Sequence, residues 1–131
     1  GLTGSGHAMK AINNFVSASG LVAASEALLL GEKFGLNPEI MLNVLNSSSG
    51  KNNATENKMS QFVLSETFGS GFALGLMAKD LNIAADLSKQ LEYRTPMLES
   101  MKTLWQDAAN QMQDNPDHTQ IYQFIQGQIK T

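Results

Sequence analysis

The sequence predicts an all-α protein, a multi-helix bundle built around one long N-terminal helix. Apolar residues recur at helical spacing along nearly the whole chain, and no stretch alternates between apolar and polar residues as a strand would. The first long segment, residues 4–31, is apolar on most of its sides, which is typical of a helix inside a bundle. Prolines and glycine-rich stretches divide the remaining chain into further helical segments. The 131 residues suffice for one domain with a buried core.

The first predicted helix combines a glycine-rich start with a polar stripe. We expect Gly4 and Gly6 to form a turn at the helix entry, because glycine allows the chain to turn sharply. Lys10, Asn14 and Ser17 follow at i, i+4 and i+7, so they lie on one face of the helix. The remaining faces are apolar and are predicted to pack in the core: Ala11, Ile12, Phe15, Val16, Leu21, Val22, Ala24, Leu28, Leu29 and Leu30.

The second predicted helix has a clear start signal. Asn37 suits the N-cap, Pro38 the first turn, and Glu39 the positive end of the helix dipole. The helix is predicted to end at the loop 46–50, which contains three serines and a glycine. Its inward-facing residues are predicted to be Ile40, Met41, Val44 and Leu45.

Four further segments follow. Residues 53–62 predict a short, rather polar helix, and glycines break residues 64–71 into a loop. A fourth helix covers residues 73–91. The fifth covers residues 96–112, because proline suits a first turn and the residue before it leaves the helical region. A turn at residues 115–117 precedes a last amphipathic helix. Core positions of the last three helices include Leu74, Met77, Leu81, Met97, Leu98, Met101, Leu104, Trp105, Ile121, Phe124 and Ile125.

Composition disfavours several classes of function. A net charge of −3 with scattered lysines argues against a nucleic-acid partner, which would need a basic patch. Without cysteine there is no disulfide framework and no thiolate metal site, and we expect a cytoplasmic protein without a secretory signal. His7 and His118 lie far apart without a paired acid, so no metal site is predicted. No membrane partner is expected, because polar residues interrupt the first helix: Asn13, Asn14, Ser17, Ser19, Ser25 and Glu26.

Several motifs allow a structural as well as a functional interpretation. Gly4-x-Gly6 lacks the third glycine and the preceding strand of a dinucleotide-binding fingerprint. The serines at 47–49 would suit either a ligand contact or a capping turn. Taken singly, Lys10 and the pair Lys79-Asp80 fit solvated charges on helix surfaces. The methionines fit core packing: Met9, Met41, Met59, Met77, Met97, Met101 and Met112.

The combination of motifs is more informative than any one of them. In order, they are Gly4-x-Gly6-x-x-x-Lys10-x-x-Asn13-Asn14, Leu45-Asn46-x-Ser48-Ser49-Gly50 and Gly71-Phe72-x-Leu74-x-Leu76-Met77-x-Lys79-Asp80-Leu81. Together they resemble the C-terminal domain of the β-hydroxyacid dehydrogenase family, especially its 3-hydroxyisobutyrate dehydrogenase branch. The related 6-phosphogluconate dehydrogenases share the implied fold, but they usually carry a histidine at the position of Asn13. That difference points toward small hydroxyacid substrates.

The resemblance implies roles for individual residues. Lys10 matches the family's catalytic lysine, and Asn14, with Asn13 beside it, matches the substrate-orienting asparagine. Phe72 lies near the segment that lines the nicotinamide and substrate pocket, and Lys79 matches a lysine that contacts the cofactor. The cofactor, NAD or NADP, would be bound mainly by an N-terminal Rossmann domain that this chain lacks. The reaction that the resemblance implies is reversible hydride transfer between a small 3-hydroxyacid and the nicotinamide.

The implied chemistry suits an amine. When hydride leaves the hydroxyl-bearing carbon, an amine can accept the hydroxyl proton, and its ammonium form can return it. Free lysine has a pKa near 10.4 and is a poor base at neutral pH. We therefore expect burial in a closed cleft between two domains to activate Lys10, with the charge of Lys79 as a helper.

The sequence does not contain the three-glycine fingerprint of a dinucleotide-binding domain, and this determines the predicted domain organisation. We expect residues 1–131 to be a single helical C-terminal domain that is inactive without its Rossmann domain and that belongs to a homo-oligomer. The alternative is a non-catalytic helical module for association or dimerisation. The long apolar helix and the methionine-rich faces would also suit an interface between subunits.

Overall fold

A computed structural model describes residues 2–129 and confirms the all-α bundle. These residues form six helices: α1 (Leu2–Phe34), α2 (Pro38–Asn46), α3 (Ala54–Leu64), α4 (Leu74–Gln90), α5 (Pro96–Gln111) and α6 (Ile121–Ile129). A 3₁₀ turn, His118–Gln120, leads into α6. Within the described residues, β-type pairing is limited to a single antiparallel bridge between Ala73 and Asp117.

The long helix α1 is the centre of the bundle. It packs against α2, α3, α4, α5 and α6, while α4 and α5 pack against each other. Residues Gly4–Phe34 are long and apolar enough to cross a membrane by length and composition. Packing in the bundle accounts for part of that apolar character, since a set of α1 residues belongs to the hydrophobic core: Ala11, Ala18, Leu21, Val22, Ala24, Leu28 and Leu29.

Both predicted ends of α1 were wrong, for different reasons. The helix runs through Gly4 and Gly6 without a turn, and no atom lies within 4 Å of a Cβ added at either position. Near the other end, Gly31 lies inside the helix at a point where α2 approaches closely: a Cβ there would lie 2.0 Å from the Sδ atom of Met41. The helix ends at Phe34, and the next residue, Gly35, has a φ of 112°, which is accessible to glycine. Leu36 N donates to the carbonyl of Gly31 at 2.9 Å and closes this end.

Several apolar residues assigned to the core are exposed. On α2 the predicted residues Met41 and Leu45 do pack against the core, beside the buried Leu42. Ile40 and Val44 are exposed, so this half of the predicted inward face was wrong. The methionines Met9 and Met97 are also exposed rather than core filler. On α1 the same correction applies to three residues: Ile12, Val16 and Leu30. The bundle therefore presents a considerable apolar surface to solvent.

Helix α3 is wound as a π-helix, not as the short α-helix predicted over 53–62. Its core residues Ala54, Met59 and Val63 are four or five positions apart, in keeping with the wider turn of i→i+5 hydrogen bonding. Asn52 and Thr55 hold its start: Thr55 N donates to Asn52 Oδ1, and Asn52 N donates to Thr55 Oγ1, both at 2.9 Å. The Asn52 amide also donates to the carbonyl of Gly20, which ties α3 to α1.

The segments before α4 and α6 lie side by side. Leu74 N donates to the Pro116 carbonyl at 2.8 Å, and His118 N donates to the Phe72 carbonyl at 2.7 Å. Asp117 caps the turn at His118–Gln120 in a capping box with Gln120. This pairing brings Phe72 and His118 next to α1 and α3.

Candidate active site

The polar stripe of α1 faces a buried carboxylate on α4. Asn14 Nδ2 donates to Asp80 Oδ2 at 2.5 Å, and Lys10 Nζ lies 3.8 Å from the same oxygen. Asp80 is 5% exposed as a whole residue. One oxygen therefore holds the lysine and the asparagine in a common arrangement, because a carboxylate attracts both an ammonium group and an amide N–H.

The lysine of this arrangement lies at the surface. The side chain of Lys10 is 64% exposed, against 7% for that of Asp80. Among the described residues, Lys10 forms its ion pair with Asp80. Lys79, the other lysine predicted for the site, is exposed on α4 and forms no ion pair with a described residue. The amine is thus anchored on one side and open on the other, where another part of a larger protein or a ligand has room to approach.

A cavity of about 340 Å³ begins at Asn14 and extends between α1, α3 and the segments around Phe72 and His118. Asn14 and Phe72, two residues singled out from the sequence, both line it. Asn13 is exposed and lines a neighbouring cavity, and its amide donates to Asn14 Oδ1 at 3.3 Å. Lys10, Lys79 and Asp80 are not among the lining residues, so Asn14 is the member of the polar stripe that connects Asp80 to the cavity. The other lining groups are mostly hydroxyls and amides: Ser17, Asn53, Asn57, Gln61 and Ser70.

His118 lines the far side of this cavity, and the carboxylate of Asp117 lies beside it, with Asp117 Oδ2 at 3.6 Å from His118 Nδ1. Ser70 Oγ lies 2.9 Å from each carboxylate oxygen of Asp117, and Thr119 donates to the same carboxylate through its backbone N–H and its hydroxyl. Burial raises the pKa of Asp117, but the hydrogen bonds from Thr119, Ser70 and Gly71 outweigh burial and leave the pKa below its ordinary value.

The buried ring of His118 is held in its neutral form. Its Nδ1 atom lies 3.0 Å from Ser70 Oγ and 3.2 Å from the Phe72 carbonyl oxygen, and the ring meets the Phe72 ring edge-on. Burial lowers the pKa of His118, the positive charge of Lys58 lowers it further, and Asp117 and the Phe72 carbonyl oppose this shift. A neutral imidazole can donate or accept a hydrogen bond here without adding charge.

The lowered pKa of His118 predicts a pH dependence of stability. An unfolded histidine takes up its proton near pH 6.5, whereas the folded ring does so only at lower pH. The unfolded state therefore binds more protons as the pH falls, and the free energy of unfolding decreases below about pH 6.5. We expect His118→Gln to lose less stability than the wild type between about pH 7 and about pH 5 in urea titrations.

The pH range separates the contribution of His118 from that of its neighbour Asp117. Protonation of Asp117 also decreases the free energy of unfolding as the pH falls, but only from about pH 4 downward, because its folded pKa lies below its unfolded value. A His118→Gln curve that parallels the wild type from about pH 7 to about pH 5 would contradict the assignment.

Three residues of the site were missed in the sequence. Asp80 was interpreted as part of an ordinary charged surface, yet it is three residues after Met77 and four before Ala84, both buried. That spacing could have placed it on the inner face of α4. His118 was considered only as a metal ligand. Lys58 gave no signal, because its orientation depends on the π-winding of α3.

In the described part of the chain, no group of three or more His, Asp or Glu residues is arranged to hold a metal ion.

Both the sequence and the fold of this chain have relatives among known proteins. Residues 4–125 match the family described as "NAD-binding of NADP-dependent 3-hydroxyisobutyrate dehydrogenase". The chain belongs to this family.

Curated relatives of this 3-hydroxyisobutyrate dehydrogenase family member carry related names. A 2-(hydroxymethyl)glutarate dehydrogenase from Eubacterium barkeri is 41% identical over 97 residues, which cover 74% of this chain and 32% of that protein. The mitochondrial 3-hydroxyisobutyrate dehydrogenase of Rattus norvegicus is 35% identical over 104 residues, covering 75% of this chain and 30% of the relative. The chain thus spans about a third of the length of these relatives.

Solved structures support the fold. A 3-hydroxyisobutyrate dehydrogenase from Salmonella typhimurium superposes with a TM-score of 0.80 over 88% of this chain and 40% of that one, at 23% identity. A second enzyme of that name, from Mycobacterium tuberculosis and solved with L-serine, gives a TM-score of 0.79 at 24% identity. Both show that the helical bundle is shared with part of a longer dehydrogenase chain.

Proposed function

We propose that this chain is the C-terminal helical part of an NAD(P)-dependent dehydrogenase acting on a small 3-hydroxyacid, with Lys10 as its general acid and base. The observation that carries the proposal is the convergence of Lys10 and Asn14 on the buried carboxylate of Asp80 at the edge of a polar cavity. Membership of an NAD-binding dehydrogenase family supplies the class of reaction.

The residues fit a hydroxyl oxidation. NAD or NADP would supply the acceptor for the hydride of the hydroxyl-bearing carbon, and Lys79 is proposed to contact it. Lys10, in its neutral form, takes the hydroxyl proton as the carbonyl forms, and its ammonium form returns the proton to the carbonyl oxygen in reduction. Asn14 orients the substrate through its amide, while Asp80 keeps both side chains in place.

The open side of Lys10 is where a second domain would cover the site. A catalytic lysine needs a water-poor surrounding, and the exposed amine does not have one in this chain. Lys79, exposed on α4, would contact the cofactor from this side.

The direct test is an assay of the full-length protein that contains this chain. Purified enzyme is given NAD or NADP with 3-hydroxyisobutyrate, 2-(hydroxymethyl)succinate or 2-(hydroxymethyl)glutarate, and formation of the reduced nicotinamide is followed spectroscopically. We expect turnover of at least one of these substrates and none from residues 1–131 alone. Absence of turnover with every pair, in a folded full-length protein, would contradict the proposed function.

The exposed apolar surface also supports a second function for this chain. Ile40 and Val44 on α2 and Leu30 and Phe34 on α1 are exposed large apolar residues, and such surface is typical of contacts between subunits. We propose that the chain takes part in assembling a homo-oligomer. This role is compatible with catalysis, because none of these four exposed apolar residues belongs to the proposed active site.

A further inference from the structure

Lys58 is the unexplained charge of the active-site cavity. It is half-buried on the π-wound helix α3 and lines the cavity that begins at Asn14. Apart from the neutral His118, it is the one ionisable side chain among the described residues that line this cavity. The mechanism based on Lys10 does not use it.

The ammonium group of Lys58 has no direct charge partner in the described part of the chain. Its Nζ atom donates to Ser17 Oγ at 3.3 Å, and no carboxylate of a described residue lies within 4 Å of it. The opposite charge that acts on Lys58 is that of Asp117, whose carboxylate oxygens already accept hydrogen bonds from Ser70, Gly71 and Thr119. Burial lowers the pKa of Lys58, and the charge of Asp117 opposes that shift.

A half-buried cation without a carboxylate at ion-pair distance is unfavourable, because the charge of Asp117 only partly offsets the loss of water around Lys58. An anionic ligand in the cavity would offset that cost. Surface lysines do not need this explanation; Lys51, for example, is half-exposed and pairs with Glu56 at 2.9 Å.

The position of Lys58 relative to Lys10 suggests which anion it binds. Lys10, Asn14 and Ser17 follow one another along one face of α1, and Lys58 contacts Ser17. Seven residues of α-helix separate Lys10 from Ser17, or about 10 Å along the axis. A substrate with its hydroxyl at Lys10 and its chain along Asn14 would bring a group several bonds away toward Lys58.

We propose that Lys58 binds a second carboxylate of the substrate, so that the preferred substrates are 3-hydroxyacids with an additional distal carboxylate. This inference rests on the proposed dehydrogenase function and assigns its substrate class. Ser17 and Ser70 would add neutral hydrogen bonds to the same carboxylate, since their hydroxyls line the same cavity. An aliphatic substituent in that place would leave the ammonium unpaired.

The test compares substrates that differ only in the substituent next to the carboxylate-bearing carbon. The full-length enzyme is assayed with 3-hydroxyisobutyrate, which carries a methyl group, and with 2-(hydroxymethyl)succinate and 2-(hydroxymethyl)glutarate, which carry a second carboxylate at two distances. We expect kcat/KM to favour one dicarboxylate over 3-hydroxyisobutyrate by at least about tenfold. Lys58→Met should lower kcat/KM for that dicarboxylate about 10- to 100-fold, mainly through KM.

The controls separate a binding role from a structural one. The ratio of kcat/KM for the dicarboxylate to kcat/KM for 3-hydroxyisobutyrate should fall at least about tenfold in Lys58→Met. Lys58→Arg should keep most of the dicarboxylate activity, and Lys51→Met should behave as the wild type on every substrate. Turnover of 3-hydroxyisobutyrate without a dicarboxylate preference would overturn this inference and leave the proposed function standing. An equal loss on all substrates in Lys58→Met would also overturn it. Absence of turnover by the folded wild-type enzyme on every substrate would contradict both this inference and the proposed function.

Discussion

Lys10→Met in the full-length enzyme should lower kcat by at least about 100-fold, since general acid–base catalysis contributes about 10²- to 10⁴-fold. Methionine has nearly the length of lysine but cannot take up a proton, so the substitution removes proton transfer and keeps most of the side-chain volume. The side chain of Lys10 is largely exposed in this chain, and its loss creates no cavity in the core. The measurements are kcat, KM and the melting temperature of the variant.

Two matched variants make this test specific. Lys10→Arg keeps the positive charge beside Asp80, yet a guanidinium does not give up its proton at any physiological pH. If Lys10 transfers protons, Lys10→Arg is nearly as inactive as Lys10→Met; if the charge alone matters, it is active. Lys33→Met, an exposed position on the same helix, should leave kcat unchanged. A Lys10→Met enzyme that keeps more than about a tenth of wild-type kcat contradicts the assignment.

The architecture was predictable where local signals are strong. Proline and its neighbours determine the starts of α2 and α5, at Pro38 and Pro96, because they constrain the backbone independently of tertiary contacts. The N-cap of Asn37 is also local: its side chain accepts from Glu39 N and Ile40 N at 2.9 and 3.1 Å. The all-α class and the order of the helices follow from such signals and from the periodicity.

Features that depend on distant contacts were not predictable. Gly31 looked like a helix end, but it is the point at which Met41 of α2 approaches α1. The π-winding of α3 follows no local rule in this sequence, and it changes which residues face the core. For that reason Lys58 could not be assigned to the cavity. The stripe of Lys10 and Asn14 was recognisable, whereas its carboxylate partner lies 66 residues beyond Asn14.

Asp80 should be the most important residue of the site that does not itself transfer a proton. It accepts a hydrogen bond from Asn14 and lies 3.8 Å from Lys10, so it positions both side chains. Asp80→Leu would leave the amide of Asn14 unpaired and Lys10 without an anchor. We expect kcat to fall about 10- to 100-fold, as for the loss of a buried hydrogen bond to a charged group.

Asp80→Asn separates the two contacts. An asparagine oxygen can still accept from Asn14 Nδ2, so this variant loses the attraction to Lys10 and keeps the hydrogen bond. Its kcat should therefore fall less than that of Asp80→Leu, and Asp86→Asn, at an exposed position of the same helix, should have no effect.

A double-mutant cycle then tests whether Asp80 acts through Lys10. Once Lys10→Met has removed the amine, Asp80→Asn has nothing left to position there, so the second change should cost little further activity. Independent, additive losses would mean that Asp80 supports the fold rather than the lysine. Because burial of an unpaired carboxylate is unfavourable, Lys10→Met should also make Asp80→Asn less destabilising than it is in the wild-type background, as measured by urea unfolding.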